Sequence, residues 1–229
     1  MISIDDLTRI ARFAEVPADT RVWLAKRMNR QRYRRGQRIF DEGTECTHLL
    51  YIESGAVKIS RTMESGRELI LDFLYAGESV GEVALIDGTE YPATATAQEE
   101  TALLSLPRED YLGLLRRQPE AALAVIRDLT FRLRALHQRL IDIGNSGVER
   151  RLAQVVLTLA RRIGEDVEGG WLIPIRLTRQ ELADMVGARI ETVIRVMSRW
   201  QKDGLLRASP EGILILHHES FESLMHADE

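Results

Sequence analysis

The chain has 229 residues, of which 45% are hydrophobic and 29% charged, as is ordinary for a soluble globular protein of one large or two small domains. Its net charge of −4 argues against indiscriminate polyanion binding, and no stretch approaches the roughly 18 apolar residues of a membrane span. A single cysteine, Cys46, excludes an intramolecular disulfide and a four-cysteine zinc or iron–sulfur site within the chain. Since no signal peptide is visible, we expect a cytoplasmic protein that does not contact membranes.

The N-terminal half is predicted to be a helical region followed by a β roll. Apolar residues at helical spacing predict helical structure over residues 3–30. From residue 31 to 107, short apolar runs alternate with glycines that are typically about eleven residues apart, which indicates an antiparallel barrel or sandwich. A roll of this kind can bury a ligand between its sheets. The predicted strands cover residues 39–40, 49–52, 57–59, 69–74, 95–97 and 102–106.

A long helix is predicted after the roll. A short helix over residues 109–115 stops before Pro119, and beyond it apolar residues alternate at spacings of three and four. Such a narrow two-position stripe favours a parallel coiled-coil dimer over a helix packed on its own domain. The residues of this heptad stripe, which form the predicted dimer interface, are Ile126, Leu129, Leu133, Leu136, Leu140 and Ile143.

The C-terminal part is predicted to begin at residues 144–147, whose two glycines break the long helix. Ser146 and Glu149 have the spacing of a capping box, which would open a helix with an inward apolar face up to residue 160. Residues 171–175 alternate as a strand. Two further strands flank a turn at residues 209–212, and this hairpin is typical of the wing of a winged helix-turn-helix.

Two short helices are predicted between the strand and the hairpin. Thr178 is a favourable N-cap, and Glu181 three residues later completes a capping box. Gly187 ends this helix because glycine readily adopts positive φ. A second helix begins at about residue 190, and two helices around a glycine-containing turn are typical of a helix-turn-helix. Its predicted inward residues are Ile190, Val193, Met197 and Trp200.

The outward side of the second helix carries residue types that read DNA bases. Arg195 can bond to guanine O6 and N7, and Glu191 can accept from cytosine N4. The segment from Arg176 to Arg207 has seven Lys/Arg against four Asp/Glu, a net of +3 within an acidic chain. The alternative is a solvated helix in which Glu191 and Arg195 form an ordinary ion pair. The predicted DNA contacts are Thr178, Arg179, Arg189, Glu191, Thr192, Arg195 and Arg199.

The order of β roll, long helix and winged helix resembles the CRP/FNR family of bacterial transcription regulators over nearly the whole chain. The segment from Leu177 to Arg195 is similar to the helix-turn-helix of the family almost residue for residue. The resemblance implies an α+β fold with a cyclic-nucleotide-binding-like roll and N-terminal helices at residues 1–118. A dimerisation helix at residues 119–144 and a winged helix-turn-helix DNA-binding domain at residues 145–229 follow.

The same resemblance implies a mechanism. A homodimer would bind double-stranded DNA at a palindrome whose half-sites contain a TGxxA- or TTG-like core, and would contact RNA polymerase. Glu191 and Arg195 would read base edges, while Thr178 and Arg179 would hold phosphates. Sensing by the roll would be relayed to the DNA-binding domain through the long helix.

The predicted effector pocket departs from the members that bind cyclic AMP. The series that ends at Gly81 and Glu82 resembles the effector-binding roll of the family, although Glu82 can equally serve to stabilise the roll. Tyr91 stands where those members have an arginine that pairs with the cyclic phosphate, and Leu136 and His137 stand where they have a Thr-Ser pair. Because a buried phosphate without its cation is costly, we do not expect cyclic AMP to be the effector.

The sequence leaves three interpretations of the sensor open. Haem would need an axial ligand, for which His48 and His137 are candidates. Redox sensing would use Cys46, although its acidic neighbours do not favour a thiolate. The third is an unidentified ligand, or none. An iron–sulfur cluster of the kind found in oxygen-sensing members is not expected, because the chain has one cysteine.

The sequence does not indicate an enzyme. It has no Gly-x-Ser-x-Gly, no His-Glu-x-x-His and no P-loop, and a roll with Glu82 and Tyr91 has no nucleophile–base pair. A further alternative is a ligand-binding module whose winged helix makes a protein contact. The regulator interpretation accounts for more of the sequence, because it explains the roll, the heptad stripe and the helix-turn-helix together.

Overall fold

The structure is a computed structural model, in which the chain divides into two compact units. The first is Met1–Leu133, the roll unit, and the second is Arg134–Glu229, the winged-helix unit. No helix in the described part of the chain is long and apolar enough to span a bilayer. The described residues are 2–8, 13, 16–64, 66, 68–145, 147–209, 211–217 and 221, of which 5, 8, 131, 135 and 138–145 are described by their backbone alone.

The roll unit contains two four-stranded antiparallel sheets, as the glycine-punctuated pattern predicts. One sheet has the order β1-β8-β3-β6 and the other the order β2-β7-β4-β5. The strands are β1 Asn29–Tyr33, β2 Arg38–Phe40, β3 His48–Ser54, β4 Ala56–Thr62, β5 Glu68–Tyr75, β6 Ser79–Val80, β7 Thr94–Ala97 and β8 Thr101–Pro107.

Strand β3 buries alternate side chains on opposite faces of its sheet, as the two-residue period of a strand allows. In β3, Leu50 and Ile52 join a cluster with Val57 and Leu74 of the other sheet, so the two sheets share a core. The alternate residues Leu49 and Tyr51 belong to a second cluster. That second cluster also contains apolar residues from the helical segments, namely Leu7, Phe13, Leu24, Leu85, Tyr111, Leu114 and Val125.

The predicted helix over residues 3–30 was wrong in its extent. Helix α1 covers Ile4–Thr8 and α2 covers Ala18–Ala25, and from Asn29 the chain is already strand β1. Strand β1 has mostly exposed side chains and is held by its backbone pairing with β8, so its sequence carries no apolar alternation. Ile10, one of the apolar residues in that pattern, lies outside the described residues.

Three more helices belong wholly or partly to this unit. Helix α3, Glu82–Asp87, was not predicted, and it is bounded by Gly81 and Gly88, both at positive φ. Helices α4, Arg108–Arg117, and α5, Pro119–Asn145, agree with the short and long helices expected there. The partition between the two units falls within α5.

The heptad stripe is largely uncovered where it is described. Ile126 is 57% exposed, and Leu133 and Leu136 are each 52% exposed. Leu129, by contrast, packs in part against the core of the roll unit. The side chains of Leu140 and Ile143 lie outside those that the structure describes. An apolar row that is left open along a helix fits a surface that a partner covers.

In the part of the winged-helix unit that the structure describes, three helices follow the end of α5 and pack with one antiparallel sheet of order β11-β12-β10-β9. The predicted hairpin is present as β11 and β12, whereas β9 was not predicted. Ser146 of the expected capping box lies outside the described residues, and α6 begins after Gly147 without a side-chain cap. The elements are α6 Val148–Ile163, β9 Glu165–Val167, β10 Gly170–Ile173, α7 Arg179–Val186, α8 Ile190–Lys202, β11 Leu206–Ser209 and β12 Gly212–Ile215.

Candidate DNA interface and effector pocket

The predicted start and end of the first helix of the helix-turn-helix are confirmed. The Oγ1 atom of Thr178 accepts from the backbone N–H of Glu181 at 3.1 Å. The carboxylate of Glu181 accepts in return from the backbone N–H of Thr178 at 2.8 Å, which completes the capping box. Gly187 ends α7 at a φ of 65°, a conformation that glycine adopts without strain. Both ends of α7 are therefore set by local interactions.

Helix α8 has one buried face and one polar face. Val193, Met197 and Trp200 are buried as predicted, together with Val196, whereas Ile190 is only partly buried. The residues on the opposite side are exposed, and they are Glu191, Ile194, Arg195, Ser198 and Lys202. Among the residues that the structure describes, neither the side chain of Glu191 nor that of Arg195 has a hydrogen bond or an ion pair. The two side chains are free to bond to a partner.

A clamp holds α8 against α6. The carboxylate of Glu149 accepts from Trp200 Nε1 at 2.9 Å and also pairs with the guanidinium of Arg199. That pairing raises the pKa of Arg199. Arg151 of α6 donates from Nε to the carbonyl of Val186, the last residue of α7, at 3.0 Å. These contacts fix both helices of the helix-turn-helix to α6, and sequence periodicity gives no sign of them.

The remaining predicted DNA contacts lie near the N-termini of α7 and α8. Arg179 is the first residue of α7, and partial burial lowers the pKa of its guanidinium. Arg189 is exposed and directly precedes α8, and Thr192 is partly buried in its first turn. Helix N-termini attract anions because their backbone N–H groups are unpaired and the helix dipole is positive there. Arg199 differs from the others because its guanidinium already bonds to Glu149.

The roll brings together three of the five predicted effector-pocket residues, Gly81, Glu82 and Tyr91. The carboxylate of Glu82 is buried, and it accepts from Ser79 Oγ at 2.8 Å and from the hydroxyl of Tyr111. This arrangement joins α3 to α4, which fits the roll-stabilising role. Leu136 and His137 belong to the other unit, and both side chains are exposed.

Tyr91 is a packed core residue. Its ring stacks on Phe40, with 3.5 Å between the ring centroids and 6° between the planes. A Cβ atom on Gly81 would lie 2.5 Å from Cε1 of Tyr91, so this glycine is needed for the ring to fit. The hydroxyl donates to the carbonyl of His48 at 3.4 Å, and burial raises its pKa. The side chain at this position therefore fills space and presents no cation.

The two candidate sensor residues near Tyr91 have different surroundings. Cys46 is buried, and this burial raises the pKa of its thiol. A buried thiol of raised pKa is a poor nucleophile, because the thiolate is the reactive form. His48 is partly buried, and its Nδ1 lies 2.9 Å from the hydroxyl of Thr47. In the described part of the chain, no three His, Cys, Asp or Glu side chains are grouped as metal ligands.

A surface cleft of about 770 Å³ lies elsewhere in the roll unit. Its walls come from α1, β1, β3, β8 and the turn before β6, and include Arg32, Glu53, Gly77 and Thr101. At its edge Arg30 bridges the carboxylates of Asp6 and Glu53. No sequence motif marks this cleft, because its residues come from five separate segments of the chain.

Comparison with known proteins gives the same two-part division. Residues 30–118 match the cyclic nucleotide-binding domain family, and residues 150–224 match the Crp-like helix-turn-helix domain family. The chain is 30% identical over 213 residues to the CRP-like cAMP-activated global transcriptional regulator of Mycobacterium tuberculosis, covering 93% of this chain and 95% of the relative. It is 37% identical over 182 residues to the cyclic AMP receptor protein of Thermus thermophilus, covering 79% and 81%.

Solved structures share the fold. FixK2 from Bradyrhizobium japonicum superposes with a TM-score of 0.76 at 21% identity, over 86% of this chain and 96% of that one. The c-di-GMP responsive global regulator CLP of Xanthomonas campestris superposes with a TM-score of 0.70 at 26% identity, over 85% and 96%. Together with the roll, the helix-turn-helix and the sequence relatives, these likenesses confirm the predicted family. The chain belongs to the CRP/FNR family of DNA-binding transcription regulators, which are not enzymes.

Proposed function

We propose that this regulator acts as a homodimer that inserts one α8 into the major groove at each half of a palindrome. The observation that carries the proposal is the pair of unbonded, exposed side chains of Glu191 and Arg195 on a helix that the Glu149 clamp holds in place. Base readout needs polar groups that are both free and positioned, and these are the residue types that bond to guanine and cytosine edges. We expect half-sites with a TGxxA- or TTG-like core.

The other predicted contacts are assigned to the phosphate backbone. Thr178 and Arg179 open α7, and Arg189 and Thr192 lie at the start of α8, where anions bind favourably. The guanidinium of Arg199 is bonded to Glu149, so we assign it to the clamp rather than to DNA. Phosphate contacts set the register of the protein on the duplex, whereas Glu191 and Arg195 choose the sequence.

Dimerisation is assigned to the heptad stripe on α5. Ile126, Leu133 and Leu136 leave more than half of each side chain in water, and burying such apolar area against a second copy is favourable at about 25 cal/mol per Å². A two-fold dimer presents two recognition helices about 34 Å apart, one turn of the DNA helix. In this proposal the DNA-bound dimer regulates transcription by contacting RNA polymerase.

We also propose that the roll does not respond to cyclic AMP. Tyr91 stands where the resemblance places a cation, and its ring is packed against Phe40 and Gly81. Glu82 is already bonded to Ser79 and Tyr111. Binding a cyclic phosphate there would bury a charge without a counter-charge, which is costly. The effector is then another ligand, whose binding is relayed to the winged-helix unit through α5, or the dimer binds DNA without any effector.

The first experiment is selection from a random duplex library with the purified protein, at about 0.15 M salt, with its visible absorption recorded. Enrichment of a TGxxA or TTG palindrome by a colourless protein supports constitutive DNA binding. A Soret band supports haem. Addition of cyclic AMP or cyclic di-GMP to the selected duplex tests the effector. Cyclic AMP should leave the affinity unchanged, and a clear increase would contradict the proposal for the roll.

Arg195→Ala tests the assignment of base readout. We expect it to abolish preference for the palindrome while weak, sequence-independent binding remains, because that binding depends on phosphate contacts. Light scattering should show an unchanged dimer. Arg116→Ala, which removes one exposed cation from α4 in the roll unit, is the matched control and should bind as the wild type does. Normal specificity in Arg195→Ala would favour a winged helix that contacts protein instead.

A further inference from the structure

One side chain on the exposed face of α8 is apolar. Ile194 is 45% exposed, and its neighbours on that face are the exposed polar residues Glu191, Arg195 and Ser198. Single exposed aliphatic residues are common on protein surfaces, so exposure by itself indicates nothing. The position of Ile194 is what distinguishes it, because the surrounding face is the one that the proposed function places against DNA.

The helical period fixes where Ile194 points relative to the proposed base readers. With 3.6 residues per turn, Ile194 lies about 60° around the helix axis from Glu191 and about 100° from Arg195. It falls in the second turn of α8, which begins at Ile190. Residues in the N-terminal half of a recognition helix are the ones that reach base edges. Ile194 therefore projects into the same groove as Glu191 and Arg195.

The chemistry of the major groove contains one matching feature. Thymine presents a C5-methyl group there, while the other bases present only hydrogen-bonding groups and C–H edges. The branched side chain of isoleucine cannot donate or accept a hydrogen bond. Placed against a polar base edge, it would displace water from donors and acceptors and leave them unpaired, which is unfavourable. Placed against the thymine methyl group, it removes apolar surface from water.

We propose that Ile194 contacts the C5-methyl group of one thymine in each half-site and thereby specifies that base. The proposal rests on the proposed function, in which α8 occupies the major groove. Ile190, four residues earlier on the same side of α8, is only partly buried, so the apolar character of this side continues from the first turn into the second. Ile194 is thus a specificity residue that acts by apolar contact, beside the two that act by hydrogen bonding.

The test replaces thymine by uracil, which lacks only the C5-methyl group, at each position of the selected palindrome in turn and in both half-sites. For the wild-type protein, one position should lower the affinity by about three- to fivefold per half-site, as expected for one methyl group returned to water. Ile194→Ala should bind the thymine and uracil duplexes equally. Val167→Ala, at a 37% exposed residue of β9, is the matched control and should keep the wild-type preference.

The outcomes separate this inference from the proposed function. If no thymine-to-uracil replacement weakens the wild-type protein, or if the loss is the same size in Ile194→Ala, the methyl contact is refuted. Binding that still depends on Arg195 would in that case leave the proposed function intact. If the protein selects no duplex under any condition, both the proposed function and this inference are refuted. Circular dichroism of Ile194→Ala should be unchanged, since the side chain is exposed.

Discussion

In the winged-helix unit the two predicted base readers are exposed and have no side-chain partner among the described residues, whereas in the roll unit Glu82 and Tyr91 are buried and bonded to neighbouring residues. The side chains of Glu191 and Arg195 have no hydrogen bond or ion pair within the described residues. Glu82, by contrast, is held by Ser79 and Tyr111, and the Tyr91 ring is enclosed by its neighbours. Each unit matches a domain family, but the two units differ in how much of the implied site is available.

This difference predicts whether a substitution will mainly change DNA binding or mainly change stability. A residue whose donors and acceptors are free can be removed at little cost to the fold, so its loss is felt in binding. A residue whose groups are satisfied internally leaves unpaired partners or a cavity when it is removed, so its loss is felt in stability. We therefore expect substitutions in the roll to unfold that unit and substitutions on the α8 face to change DNA affinity.

The largest expected effect is that of Tyr91→Ala. Removing this buried ring should destabilise the roll unit by about 3–5 kcal/mol, the usual cost of deleting a large aromatic side chain from a core. Hydrogen exchange measured by mass spectrometry gives the opening free energy of each unit separately. Tyr91→Phe keeps the stack on Phe40 and loses the contacts of the hydroxyl with the His48 carbonyl, at 3.4 Å, and with the Cys46 thiol, so it should stay within about 1 kcal/mol of the wild type. Equal exchange in Tyr91→Ala and wild type would show that the ring does not hold the roll.

An intermediate effect is expected for the Glu149 clamp, whose loss should lower both the stability of the winged-helix unit and its affinity for DNA. Glu149→Ala leaves the indole N–H of Trp200 without its acceptor and frees Arg199. We expect about 1–3 kcal/mol of lost stability in the winged-helix unit and weaker DNA binding, because α8 is held less firmly. Glu149→Gln retains an acceptor for Trp200 and should lose less of both. If the two variants bind DNA as the wild type does, the clamp does not position α8.

The same contrast explains which features could be predicted from the sequence. Thr178, Glu181 and Gly187 act over three to nine residues, so their spacing alone predicts the capping box, the turn and the start of α8. The heptad stripe is likewise a local periodicity. The face of α8 that remains exposed follows from its buried face, because a helix repeats every 3.6 residues.

The missed features depend on residues that are distant in the chain. Glu82 meets Tyr111 across 29 positions, and Glu149 meets Trp200 across 51. Strand β1 is held by pairing with β8, about seventy residues away, while its own side chains carry no apolar pattern. Periodicity reports the environment of one element at a time. It cannot show which partner satisfies a buried carboxylate or a backbone edge.

The smallest expected effect is that of Thr178→Ala, and it separates the two roles assigned to this residue. Loss of the cap should destabilise the winged-helix unit by about 1 kcal/mol, which denaturant unfolding of that unit can measure. Thr178→Ser keeps the Oγ acceptor and should restore both stability and DNA affinity.

The phosphate role of Thr178 is tested by how the affinity depends on salt. A neutral hydroxyl releases no counterion, so Thr178→Ala should weaken DNA binding without changing the slope of log affinity against log salt. Arg179→Gln removes a cation and should reduce that slope by about one per monomer. If Thr178→Ala lowers stability but leaves affinity unchanged at every salt concentration, Thr178 is a cap alone. The phosphate contacts at this end of α7 would then be made by Arg179.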